Sequence, residues 1–168
     1  TKTEYVTGFE SRRRTGEPHA PEQAQPANIQ AFTVCFAVDY LEGEDHTIDR
    51  PDEYAFWRDY VPQLRPRWPG RMLSWSTTHP VTLEPREMAF DPLGDDAPGG
   101  RPNLWLTAGF EKQNFVAGAY QSDISLVNWP QNDYWLGNLH EVTEEEAARH
   151  LKRAMQLSLS LLYWMQTE

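Results

Sequence analysis

The sequence predicts an α+β fold, a mainly antiparallel sheet covered by helices, from three observations. Residues 30–39 alternate strictly between large and small side chains, which predicts a strand. The short apolar run 124–127 predicts a second, buried strand. Thr143 stands three residues before Glu146, which is a capping-box pattern and predicts the start of a long C-terminal helix. Because strands and helices do not alternate regularly, a parallel α/β sheet is not expected.

Composition restricts the kinds of partner. Twenty-five acidic and fifteen basic residues give a formal net charge of −10, so a nucleic-acid-binding surface is not expected. The chain has no apolar run of about eighteen residues, no signal-peptide pattern and a single cysteine, Cys35. These features predict a cytoplasmic protein with no membrane partner, no disulfide framework and no metal site.

Two regions are expected. Residues 1–28 are interrupted by prolines and Gly16, which predicts an extended connector. Residues 29–168 are predicted to form a single α+β domain, with 30–39 as its central strand. The small side chains on one face of that strand would let a helix, another backbone or a flat ligand approach closely, although ordinary sheet packing gives the same pattern.

Shorter elements are predicted between these strands and the final helix. Pro51 and the helical spacing of Tyr54 and Trp57 predict a helix that ends at Pro62. Short strands are predicted at 72–76, 82–90 and 103–107, with a loop at 91–102.

The final helix is apolar almost all round over residues 157–165, which predicts burial on most sides. The sequence stops at Glu168 without a glycine cap or a polar tail. Since a buried helix end needs partners for its carbonyl groups, we expect the chain to be a fragment or a subunit of something larger.

The candidate site follows the strand at 124–127, where Pro130 prevents the strand from continuing. Amides and a carboxylate stand there beside aromatic rings, and loops at strand ends commonly bind ligands. An alternative is a polar turn whose side chains bond their own backbone while the rings cover the core. The polar residues are Asn128, Gln131, Asn132 and Asp133, and the aromatic residues are Trp129, Tyr134 and Trp135.

The histidines are weaker candidates. His46 lies in an acidic loop that lacks the ligand spacing of a cation site, so no metal is expected. His79 precedes a proline and is therefore extended, either toward a cleft or in a surface turn. The other three, His19, His140 and His150, are expected at the surface.

Five segments resemble bacterial FAD-dependent oxidoreductases of the two-dinucleotide-binding-fold type: 17–21, 30–39, 43–51, 123–135 and 156–164. The resemblance covers nearly the whole chain and implies the substrate-binding portion of such a flavoprotein. Its partner would be the remainder of the FAD-binding domain or a partner chain, with a small organic molecule as substrate. The chain lacks the G-x-G-x-x-G turn, so the phosphates of FAD would be bound by other sequence.

The resemblance implies hydride transfer from a small organic substrate to the flavin. Asn128, Gln131 and Asn132 would hold polar atoms of substrate or flavin, and Trp129 would flank the ring. Either Tyr134 or Asp133 would accept a proton, and His46 and His79 would be further binding residues.

Two other functions compete with this one. The aromatic and amide residues also suit a non-catalytic carbohydrate or small-ligand binding module. The apolar final helix also suits a structural subunit that docks on a partner chain.

Overall fold

The computed structural model describes residues 3–94 and 100–168 and has an α+β fold, as predicted. The helices are α1 (Arg12–Thr15), α2 (Tyr54–Asp59) and α3 (Glu144–Thr167). The strands are β1 (Phe32–Thr33), β2 (Phe36–Asp39), β3 (Ser76–Thr78), β4 (Pro85–Glu87), β5 (Gly109–Phe110), β6 (Ile124–Val127) and β7 (Asp133–Tyr134). Short 3-10 helices lie at Leu104–Leu106, Lys112–Asn114 and Pro130–Asn132.

All strand pairs between these elements are antiparallel. The strand order in the largest sheet is β2-β6-β5, while β1 pairs with β7 and β3 pairs with β4. The prediction of one central strand over 30–39 was therefore wrong, because β6 is central and the segment divides into β1 and β2. Between these two strands, the Val34 carbonyl accepts hydrogen bonds from Ser158 Oγ at 2.7 Å and Asn132 Nδ2 at 3.2 Å. In a continuous strand this carbonyl would accept from the backbone N–H of a neighbouring strand, so two side chains replace that backbone partner.

The alternation predicted for this segment is confirmed. Its large side chains pack against the core, whereas Cys35, Ala37 and Asp39 are exposed. The face of small side chains therefore points outward from Cys35 onward, whereas Ala31 and Thr33 are half-buried.

Helix α3 begins where the capping box predicts. Thr143 Oγ1 accepts from the backbone N–H of Glu146 at 3.2 Å, and the Glu146 carboxylate accepts from the N–H of Thr143 at 3.4 Å. The expected burial of residues 157–165 holds for one face only: Leu157 and Leu161 are buried, but Leu159 is 40 % exposed.

Several shorter elements differ from the prediction. The helix expected from Pro51 to Pro62 contains only Tyr54–Asp59 as α-helix. The strand expected at 103–107 is instead the 3-10 helix Leu104–Leu106, because Asn103 Oδ1 accepts from the N–H of Trp105 at 3.1 Å and caps a turn.

The strand expected at 72–76 was wrong except at Ser76, where β3 begins, and the strand expected at 82–90 is shortened to β4. Of the predicted loop 91–102, residues 95–99 lie outside the described residues. The N-terminal segment differs from the expected extended connector because it contains α1 and folds back on itself. Phe9 and Gln25 exchange two backbone hydrogen bonds, at 3.1 and 2.8 Å.

A cluster of aromatic rings joins the sheet to α3. The ring of Phe90 contacts Trp75, Trp105 and Trp129, with centroids 5.4, 5.8 and 5.7 Å away. Trp75 also contacts Trp164 of α3 at 4.8 Å. Two residues of this cluster, Phe90 and Trp105, also line the groove described below.

Candidate functional site

Asn132, at the strand-end turn, is fully buried and bonded to the chain itself. Its Oδ1 accepts from the N–H of Trp129 at 2.9 Å. Its Nδ2 lies 3.2 Å from the carbonyl oxygen of Val34 and 3.4 Å from that of Val127. Since one acceptor and both donor directions are occupied, Asn132 has no group left to orient a ligand.

Gln131 and Trp129 are also buried, but each has a polar atom without a partner. Gln131 Nε2 donates to the carbonyl of Ser74 at 3.1 Å, which ties the turn to the segment before β3. In the described part of the chain, neither Gln131 Oε1 nor Trp129 Nε1 has a hydrogen-bond partner. Both side chains lie in the core.

Asp133 is half-buried and accepts a hydrogen bond from the Thr33 hydroxyl across the β1–β7 pair. Burial raises the pKa of its carboxyl group, and the hydrogen bond from Thr33 partly opposes that rise. Proton acceptance by Asp133 would require a substrate to reach this half-buried position between two strands.

Tyr134 is fully buried and its hydroxyl lies 2.8 Å from Nδ1 of His150. Burial raises the pKa of Tyr134, and the nearby Arg153 guanidinium opposes the rise. Its ring packs on Phe32 at 5.2 Å and on Trp57 at 6.0 Å. Tyr134 is therefore a core residue whose hydroxyl contacts His150.

Two further residues of the predicted site have exposed side chains. Asn128 is exposed, and Trp135 is 39 % exposed. The structure thus separates the predicted cluster into an exposed pair and a buried set that ties β1, β6 and α3 together.

His79 lies in the turn between β3 and β4. Its Nδ1 accepts from the N–H groups of Val81 and Thr82 at 3.2 and 3.1 Å. The side chain therefore shapes its own turn, the second of the two positions considered from the sequence.

Among the predicted site residues, His46 lies at an open groove. The groove has a volume of about 820 Å³, within the range of small-ligand sites, and runs between β2, the loop 41–48 and the end of α3. Its apolar residues are Ala37, Val38, Leu41, Ile48, Phe90, Pro92, Trp105, Leu162 and Met165, and its acidic residues are Asp39, Glu44 and Asp45.

The loop that carries His46 is fixed to α3 by Gln166. The Gln166 side chain donates to the His46 carbonyl at 2.8 Å and accepts from the N–H of Ile48 at 3.1 Å. His46 Nε2 lies 2.8 Å from Glu44 Oε2, a contact that lowers the pKa of Glu44. Two backbone contacts from one side chain therefore hold the loop that carries Glu44 and Asp45. These two carboxylates and Asp39 form the acidic wall of the groove.

His150 was expected at the surface but contacts the buried hydroxyl of Tyr134. A signal for this position exists in the sequence, because His150 precedes Ala154, Leu157 and Leu161 at helical spacing on the buried face of α3. Phe90, Trp105 and Met165 of the groove were not predicted as site residues, because they come from separate elements and share no local pattern.

Comparisons with protein-family models, with curated proteins and with solved structures found no match. Within residues 3–94 and 100–168, no helix has the length and apolar character needed to cross a membrane. The same residues include no group of three or more His, Cys, Asp or Glu side chains that could hold a metal ion.

Proposed function

We propose that this chain is the substrate-binding region of an FAD-dependent oxidoreductase and that its groove receives the flavin ring and the substrate. FAD, when bound, accepts a hydride from the substrate. The partner would be the remainder of the FAD-binding domain or a second chain, which would bind the phosphates, and the protein would be cytoplasmic.

One observation carries this proposal: three of the segments that resemble flavoproteins converge on the groove. Ala37, Val38 and Asp39 come from segment 30–39, residues 44–48 come from segment 43–51, and Leu162 comes from segment 156–164. These segments are distant in sequence, and folding brings them to one open cavity. A ligand bound in the groove would account for this convergence.

The fit to a flavin differs between the two candidate locations. The strand-end amides do not fit, because Asn132 is bonded entirely within the chain and Gln131 is fully buried. The groove fits better, since it is open and its lining residues include Phe90 and Trp105. His46 lies at the groove beside Glu44 and would contact a polar edge of the ligand.

The test uses two substitutions on the same outward face of segment 30–39. Ala37→Trp would fill the groove, whereas Cys35→Trp adds the same side chain at an exposed residue that does not line it. In FAD titrations of the purified protein, Ala37→Trp should weaken FAD binding about tenfold or more and Cys35→Trp by less than about twofold. Equal effects of the two substitutions would refute the groove as the flavin site.

The alternative of a docking subunit has its own observation. Leu151, Met155 and Leu159 form an exposed stripe on α3, with 43, 49 and 40 % of their surfaces accessible. Sedimentation over a range of protein concentrations tests self-association through this stripe, with Met155→Glu as the disrupting variant.

The alternative of a non-catalytic binding module uses the same groove without FAD. Flavin content distinguishes it from the oxidoreductase.

A further inference from the structure

The groove has an uneven distribution of charge. Three carboxylates line it, from Asp39, Glu44 and Asp45, and among its lining residues in the described part of the chain there is no Lys or Arg. His46 is the only basic side chain in that lining, and its Nε2 already contacts Glu44. The groove therefore presents net negative charge to whatever enters it.

We infer that this groove takes an organic cation with an apolar body, such as an amine that carries an aromatic or branched aliphatic group. The inference rests on the proposed function, and it names the class of ligand that would lie beside the flavin. Anionic ligands such as carboxylates or phosphates would be repelled by the same wall.

The apolar lining supports this class of ligand. Phe90, Trp105, Leu162 and Met165 line the groove and provide aromatic and aliphatic surface for the ligand's body. A small inorganic cation has no apolar body that could pack on these four side chains. The combination favours a molecule that has both a positive charge and an apolar part.

The acidic wall is also held in its charged state. Hydrogen bonding from His46 lowers the pKa of Glu44, and hydrogen bonding from the Thr47 backbone N–H lowers that of Asp45. Both carboxyl groups are therefore ionised at neutral pH. Gln166 fixes the loop that carries them, so the wall is formed before a ligand binds.

The test compares two probes of similar size and opposite charge, phenyltrimethylammonium and benzoate, by equilibrium dialysis against the purified protein. The ammonium probe should bind at least about tenfold more tightly than benzoate. Equal binding of the two, or tighter binding of benzoate, would overturn the inference.

Two matched double variants distinguish the effect of the acidic wall on binding from the effect of the protein's net charge. Asp39→Asn with Asp45→Asn removes two carboxylates from the groove, and Glu84→Gln with Glu145→Gln removes two exposed ones elsewhere. The first pair should weaken binding of the ammonium probe at least about fivefold, and the second by less than about twofold. Similar losses in both would show attraction by net charge alone and would overturn the inference.

Flavin content, measured in the same preparations, keeps the two proposals apart. A flavin-containing protein that prefers benzoate would overturn the ligand class and leave the oxidoreductase standing. A flavin-free protein that selects the ammonium probe would support the ligand class and count against the oxidoreductase.

Discussion

The side-chain amide of Asn132 lies 3.2 Å from the carbonyl oxygen of Val34, and this contact joins the strand-end turn to the link between β1 and β2. Ser158 of α3 donates to the same carbonyl at 2.7 Å. Three parts of the chain that are distant in sequence thus meet at one buried backbone group. The residues that most resemble a ligand site in the sequence hold the fold together at this point.

Asn132→Ala should destabilise the protein by about 2–4 kcal/mol, because it leaves the buried N–H of Trp129 without its acceptor and removes two donors. Asn128→Ala, an identical change at an exposed position in the same segment, should cost less than about 0.5 kcal/mol. Urea unfolding measures both values. Equal losses would argue against a structural role for Asn132.

Gly137 provides a second test, because its backbone passes close to the ring of His150. A Cβ at this position would lie 2.2 Å from Cε1 of His150, so Gly137→Ala should displace the ring and break its contact with Tyr134. We expect a loss of about 1–3 kcal/mol in the free energy of unfolding.

Two controls isolate the cause of that loss. Gly70→Ala places a methyl group in open space and should have little effect. In a His150→Ala background, Gly137→Ala should cost much less than in the wild type. An undiminished cost there would show that the ring of His150 is not the source of the clash.

Asp133 should make stability depend on pH. Burial raises the pKa of its carboxyl group in the folded state above the usual 3.8, so the folded state holds this proton more tightly than the unfolded chain. The resulting stabilisation is fully present below the unfolded pKa and is lost as pH rises through the folded pKa. Asp133→Asn stays neutral, so its stability relative to wild type should improve as the pH rises from below 3.8 through the raised pKa of the folded state.

Unfolding free energies of both proteins across this range provide the measurement. A relative stability that is constant with pH, or that falls as pH rises, would contradict the raised pKa. Thr33→Val should enlarge the effect, because the Thr33 hydroxyl opposes the rise.

The start of α3 depends on the side chain of Thr143. Thr143→Ala removes the acceptor for the N–H of Glu146 and should lower stability by about 1 kcal/mol. Thr143→Ser keeps the acceptor and should restore most of that loss. Thermal unfolding distinguishes the two variants, and an equally unstable serine variant would show that the hydroxyl is not the cause.

Local patterns predicted the features that depend on neighbouring residues. The capping box at Thr143 and the alternation of residues 30–39 both appear in the structure, because helix starts and strand faces are determined by spacings of two to four residues. The break at Val34 could not be predicted in this way, since it depends on side chains of Asn132 and Ser158 that are distant in sequence.

The candidate site shows the same limit. Amides beside a strand end suggest a ligand site, but whether they face solvent or the core depends on how α3 packs, and the strand-end turn packs against that helix. The groove combines β2, an acidic loop, Trp105 and α3, so only the folded chain reveals it. His46 was identified by residue type alone.

The most direct measurement for the central claim is the visible absorption spectrum of the purified, undigested protein, together with any chain that completes its FAD-binding domain, before and after addition of FAD. The account predicts flavin bands that shift on binding, and a smaller shift in Ala37→Trp than in Cys35→Trp. A protein that stays colourless after excess FAD is removed would contradict the oxidoreductase and favour the binding module.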